Sequence, residues 1–147
     1  MAVQKVQELS PALWAYLGDS LYELYIRENL IQEFSTSNTG QLHQEAIKYV
    51  RAEAQARIVR FLATQLTDEE QEVLRRGRNQ KSGQIPHHTD AVTYRYSTAW
   101  ESLLGYLYLT GRSERMKELM AAGFNYLKTV GQERGEDPGG EEGGNKR

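Results

Sequence analysis

Asp19 and Glu101 are the acids most out of keeping with their surroundings. Asp19 lies in Pro11-Ala12-Leu13-Trp14-Ala15-Tyr16-Leu17-Gly18-Asp19-Ser20-Leu21-Tyr22, a run with helical spacing. At about 100° per residue, Leu13, Leu17, Leu21 and Leu24 form one apolar stripe, with Ala15, Tyr22 and Ile26 on the opposite side. A helix that is apolar on both sides is usually buried on both sides. Asp19 and Glu23 share the second side, one turn apart. A buried, unpaired carboxylate is costly, so each requires a cation, a hydrogen-bond donor or a metal ion beside it. Periodicity alone is met more commonly by a solvated edge or an ion pair to an arginine.

Glu101 interrupts a second core helix, where Trp100, Leu103, Leu104 and Leu107 supply the apolar stripe. It shares its face with Ser97 and Gly105, which are small enough to admit another helix or a ligand. If Asp19 and Glu101 met across two packed helices, they would present hard oxygen ligands to a divalent cation. Magnesium takes one or two protein carboxylates, keeps several waters and leaves positions open to phosphate. Such an ion activates water and stabilises charge on a phosphate.

Phosphate contact is the chemistry offered by Arg75-Arg76-Gly77-Arg78-Asn79-Gln80-Lys81-Ser82. Arginine and lysine neutralise phosphates, and the amides and the serine can bond sugar or phosphate oxygens. The run has no aromatic stacking platform, which argues against single-strand binding. Duplex RNA is read through shape, 2′-hydroxyls and phosphates, which suits a basic polar loop. A solvated basic face is the commoner reading of such a run taken alone. His87 and His88 stand in the same polar stretch without cysteine partners or helical i, i+4 spacing, so zinc ligation is not expected.

The elements that must carry these residues are helices, and no strand-like alternation of useful length occurs. Ser10-Pro11 is a helix start, with the helix continuing to about Leu30. A second helical region covers about Gln41 to Gln65 with a break near Arg51, on Leu42, Ala46, Val50, Ala54, Ile58, Val59 and Leu62. Thr67-Asp68-Glu69-Glu70 is a capping box opening a helix to about Arg76. Gly77 to Thr89 is expected to be loop. Further helices are expected from about Asp90 to Thr110, stopped by Gly111, and from Ser113 to about Val130. The expected class is all-α, with one domain over residues 1–130. Residues 131–147 form an acidic, glycine-rich tail too poor in apolar residues to order.

The whole-chain balance fits this division. The 147 residues suit one domain, given roughly 100–200 residues per domain. The formal charge of −2 lies in the tail, where five acids face three bases, and the body is neutral. There is no cysteine, which excludes a disulfide framework, a thiol nucleophile and thiolate zinc ligation. With no signal-like N-terminus and no apolar run near the roughly 18 residues of a membrane helix, a cytoplasmic location is expected.

Trp14-Ala15-Tyr16-Leu17-Gly18-Asp19-Ser20 resembles the signature helix of ribonuclease III domains, and Trp100-Glu101-Ser102-Leu103-Leu104-Gly105 resembles their second acidic helix. With Arg75 to Gly83 and Tyr94-Arg95-Tyr96-Ser97-Thr98-Ala99, the chain resembles the compact Mini-III subgroup over about Leu9 to Lys128. The resemblance implies a helical homodimer joined through the signature helix. It implies magnesium-dependent endonucleolytic cleavage of double-stranded RNA that leaves 5′-phosphates, with Asp19 and Glu101 as catalytic and metal-binding residues. The implied task is maturation of precursor 23S ribosomal RNA, with a ribosomal protein as a further partner. Ribonuclease III domains generally carry acids where this chain has Ala15 and Thr98, a departure that the subgroup shares and that leaves the number of metal ions and any part for Glu23 open. No double-stranded RNA-binding domain follows Val130, so Arg75, Arg78 and Lys81 are assigned the grip on RNA. The alternative is a non-catalytic double-stranded RNA-binding dimer acting in ribosome assembly.

Overall fold

The computed structural model describes residues 1–35, 38–80 and 85–133, and among these there are helices and no strand. The helices are α1 (Val3–Gln7), α2 (Pro11–Glu33), α3 (Thr39–Val50), α4 (Ala52–Leu62), α5 (Asp68–Arg78), α6 (Ala91–Leu109) and α7 (Ser113–Glu133). The all-α class is therefore as expected, and most boundaries follow from caps legible in the sequence. Ser10 Oγ accepts from Ala12 N–H ahead of Pro11, and Asp90 accepts from Thr93 N–H at 2.8 Å. Thr67 and Glu70 close the reciprocal capping box that opens α5. Gly111, at φ +81°, ends α6: Gly111 N–H donates to Tyr108 O and Arg112 N–H to Leu107 O, satisfying carbonyls that the helix leaves open. Arg51, in extended conformation at ψ 158°, is the break between α3 and α4.

α6 is the axis of the domain, with Trp100, Leu103, Leu104, Tyr106 and Leu107 almost fully buried. The helices α2, α4 and α5 pack most extensively on it. Edge-to-face ring pairs knit α2 to α6, Trp14 on Tyr106 at 5.0 Å and Tyr22 on Trp100 at 5.9 Å. Of the stripe Leu13, Leu17, Leu21 and Leu24, Leu21 alone packs against this core. Trp14, Ala15, Gly18, Tyr22, Ile26 and Leu30 are buried in it, while Leu13 is 51% exposed and Leu24 64%. The two-sided apolarity of α2 thus resolves into one side buried within the chain and one side left outward.

Three further points differ from expectation. α1 has no periodic pattern to announce it, yet Val6 is fully buried and its carbonyl accepts from Trp14 Nε1 at 2.9 Å. Gly77 and Arg78 belong to the last turn of α5 and not to the following loop. Gly77 is buried against α6, where a Cβ would lie 2.6 Å from Ser102 Oγ, so its role there is close helix packing. α7 runs to Glu133, beyond the expected end at Val130. The remainder of the expected tail lies outside the described residues, as does Lys81.

Candidate active site

The geometry of the site begins with two glycines. A Cβ on Gly18 would fall on the backbone carbonyl of Glu101, and one on Gly105 would fall on that of Trp14. Trp14 and Gly18 are one turn apart on α2, as Glu101 and Gly105 are on α6, so the two helices cross with main chain against main chain at both points. Asp19 follows Gly18 directly. The crossing therefore brings it to Glu101, and the two side chains share a hydrogen bond.

Among the described residues no cation acts on Glu101. Burial first, then the charge of Asp19, push the Glu101 carboxyl up to about 8 from its ordinary 4.5. The hydrogen bond to Asp19 and the charge of Glu23 act in the same direction. One group opposes them. Gln55 of α4 donates from Nε2 to Glu101 Oε2 at 3.3 Å and also to the carbonyl of Val50 at 2.8 Å. Gln55 is only 3% exposed, and its Oε1 is buried without a hydrogen-bond partner among the described residues. Tyr22 lies behind the pair; its hydroxyl donates to Tyr49 O at 2.8 Å, and burial, then Tyr49, Tyr25 and Glu101, raise its pKa.

The structure thus unites Asp19 with Glu101 and sets Glu23 apart. Glu23 forms an exposed i, i+4 ion pair with Arg27 at 3.0 Å, the solvated reading of that position. The serines beside the acids bond to main chain, Ser20 Oγ to Leu17 O and Ser102 Oγ to Pro11 O. Neither has a histidine base, and His87 and His88 are exposed. Among the described residues no group of three or more His, Cys, Asp or Glu is placed to hold a metal ion. Asp19 and Glu101 are thus the two acids in contact among the described residues, with Glu23 acting on Glu101 through its charge, Ala15 buried one turn before Asp19 and Thr98 bonded to Tyr94 O.

The basic residues divide. Arg76 turns inward, donating to Gln7 O at 3.0 Å with its guanidinium 4.7 Å from the centre of the Trp14 ring. Arg75 is exposed and forks onto Glu72, and Arg78 donates from Nε to Asn79 Oδ1. Gly77 packs on Ala99 and Ser102, so the C-terminal end of α5, which carries Arg78, lies against α6. Gln55 went unremarked in the sequence. Its signal was present, since it falls in register with Ile58, Val59 and Leu62 and is a polar residue on the apolar stripe of α4.

The chain has relatives among known proteins. The ribonuclease III domain model matches residues 13–112, which include both acids and the whole crossing. The chain belongs to the ribonuclease III domain family. It is 43% identical over 120 residues to the Mini-ribonuclease 3 of Symbiobacterium thermophilum, covering 82% of this chain and 92% of that protein. It is 35% identical over 136 residues to the Mini-ribonuclease 3 of Clostridium tetani, covering 92% and 90%. A crystal structure of a Fusobacterium nucleatum protein superposes with a TM-score of 0.72 at 26% identity, over 82% of this chain and 95% of that one. Membership makes the chain an endoribonuclease of the Mini-III type. No helix among the described residues is long and apolar enough to cross a membrane.

Proposed function

We propose that the chain is a magnesium-dependent endoribonuclease of double-stranded RNA, working from Asp19 and Glu101. The observation that carries this reading is the contact at the α2–α6 crossing between exposed Asp19 and half-buried Glu101, with no cation beside them among the described residues. A divalent ion fits such a pair on physical grounds, because it would relieve the repulsion that raises Glu101, and magnesium needs only one or two carboxylates. When bound, it would activate the attacking water and stabilise charge on the scissile phosphate. Asp19 and Glu101 would hold it, and hydrolysis leaves a 5′-phosphate on one product.

Grip on the duplex is assigned to Arg75 and Arg78, at the end of α5 beside the site, and to Lys81 further along the chain. The side chain of Arg75 must exchange Glu72 for phosphate, an exchange that an exposed ion pair allows at little cost. The protein acts as a homodimer through the outward side of α2, where Leu13, Tyr16, Leu24 and Ile31 are all more than half exposed. This stripe runs into an apolar groove of about 500 Å³ between α2 and α3, lined by Leu30, Ile31, Leu42, Ala46 and Val50 among others. A continuous apolar face of this kind marks an association surface. Precursor 23S ribosomal RNA in the cytoplasm, with a ribosomal protein assisting, is the proposed setting, on the strength of the Mini-III resemblance.

The test is incubation of the full chain with a long perfect RNA duplex, with magnesium or with chelator, beside Asp19→Asn. Magnesium-dependent fragments that vanish in the folded variant are expected. An intact duplex from folded, dimeric wild-type protein would overturn cleavage and leave an RNA clamp.

A further inference from the structure

The carboxamide of Gln55 is tied to the site on one side and left open on the other. Nε2 donates to Glu101 Oε2 and to Val50 O, while Oε1, on the same amide, is buried with no partner among the described residues. Capping Val50, the last residue of α3, accounts for the nitrogen. It does not account for the oxygen. A buried, unsatisfied acceptor costs about 1–3 kcal/mol, a cost that a core residue of similar size without polar atoms would avoid. Gln55 also stands in the middle of an apolar stripe, where Ile58, Val59 and Leu62 continue the same face.

We propose that Gln55 is a positioning residue of the metal site: Nε2 fixes Glu101 through one carboxylate oxygen, leaving the other for the ion, and Oε1 accepts a hydrogen bond from a water of the ion's shell. This inference rests on the metal reading above and deepens it. A site with only two carboxylates leaves most of the ion's coordination to water, and waters hold their places only if the protein offers them acceptors. Gln55 is the buried neutral acceptor within one amide's span of Glu101. Outer-sphere partners of this kind are worth 10–100-fold in metal affinity when removed.

The experiment counts Mn2+, a spectroscopic stand-in for magnesium that shares its preference for oxygen ligands, by the EPR signal of the free ion, with no RNA present. Wild type is compared with Gln55→Met, which keeps the length of the side chain and removes both polar atoms, and with Gln55→Leu, which removes them from a shorter apolar side chain. Gln55→Met is expected to weaken Mn2+ binding by about 10–100-fold while retaining a cooperative unfolding transition. Gln55→Leu is expected to bind as weakly as Gln55→Met. Equal Mn2+ affinity in wild type and Gln55→Met, whatever the change in stability, overturns the proposal. Should Gln55→Met fail to fold, Mn2+ binding by Gln55→Leu as tight as by wild type overturns it instead. A wild-type chain that takes up no Mn2+ overturns the underlying metal reading itself, an outcome distinct from the other two.

Discussion

Replacing Glu101 by glutamine should abolish cleavage and at the same time make the metal-free protein more stable. The folded Glu101 carboxyl titrates at about 8, against an ordinary 4.5. Between those values the folded state holds a proton that the unfolded chain has released, so stability is greatest below about pH 4.5 and falls as pH rises through 8. At pH 7 the gap from 4.5 is about 2.5 units, or roughly 3 kcal/mol at 1.36 kcal/mol per unit. Above pH 8 the whole difference applies, roughly 5 kcal/mol. These figures are ceilings, because Glu101 is not fully enclosed and the site can relax around a charge. A gain of about 1–3 kcal/mol is the expected size for Glu101→Gln at pH 8, or a rise in Tm of roughly 3–10 °C. Glutamine suits the position because it can still accept from Gln55 while donating to Asp19, as the protonated acid does. The assay is urea unfolding from pH 5 to 9 in chelator, followed by circular dichroism. Wild-type stability should decline across that range and the variant should change less, with the two converging toward pH 5. Added magnesium should narrow the gap, since an ion that binds only the folded wild type stabilises it. A variant no more stable than wild type at pH 8, with parallel pH profiles, would refute the claim that Glu101 is a repelled, half-buried acid.

Other predictions follow from the same coordinates. Gly18→Ala or Gly105→Ala places a Cβ on a backbone carbonyl, so either should cost several kcal/mol or prevent folding, read by thermal unfolding; a loss under about 1 kcal/mol would mean that the helices separate freely. Leu24→Asp, on the outward side of α2, should leave the helical circular dichroism intact and convert a dimer to a monomer in sedimentation velocity, whereas an unchanged dimer would place the interface elsewhere. Substituting Arg75, Arg78 and Lys81 together by alanine should weaken duplex binding and flatten its salt dependence by roughly one unit of slope per lost phosphate contact; an unaltered slope removes these residues from the interface.

The acids were legible in the sequence because each breaks a pattern that the surrounding helix otherwise keeps. The caps were legible for a related reason: Ser10, Thr67, Asp90 and Gly111 act within a few residues of themselves, so local sequence carries their geometry. What escaped depends on distant partners. The two apolar sides of α2 are equivalent by periodicity, and only the docking of α6 shows that the side bearing Trp14 and Tyr22 faces the core. Gly77 has the composition of a loop start, yet Ser102 and Ala99 make it a packing residue. α1 is five residues long, too short to show a period, and is held by Val6 beneath Trp14. Gln55 was visible only as an exception on its stripe, and its meaning comes from Glu101, which another helix supplies.

The main-chain crossing of α2 and α6 also bears on when this ribonuclease becomes able to act. Asp19 and Glu101 are more than eighty residues apart, and each is an ordinary helical acid until Gly18 and Gly105 seat against the opposite helix. On the ribosome, a nascent chain displays α2 through α5 before α6 has emerged, so it carries Asp19 without Glu101, half of the proposed site. The two acids then meet in a single late event, the docking of α6. On the proposed site, a chain stalled or truncated before that point would be inert toward the RNA that surrounds it.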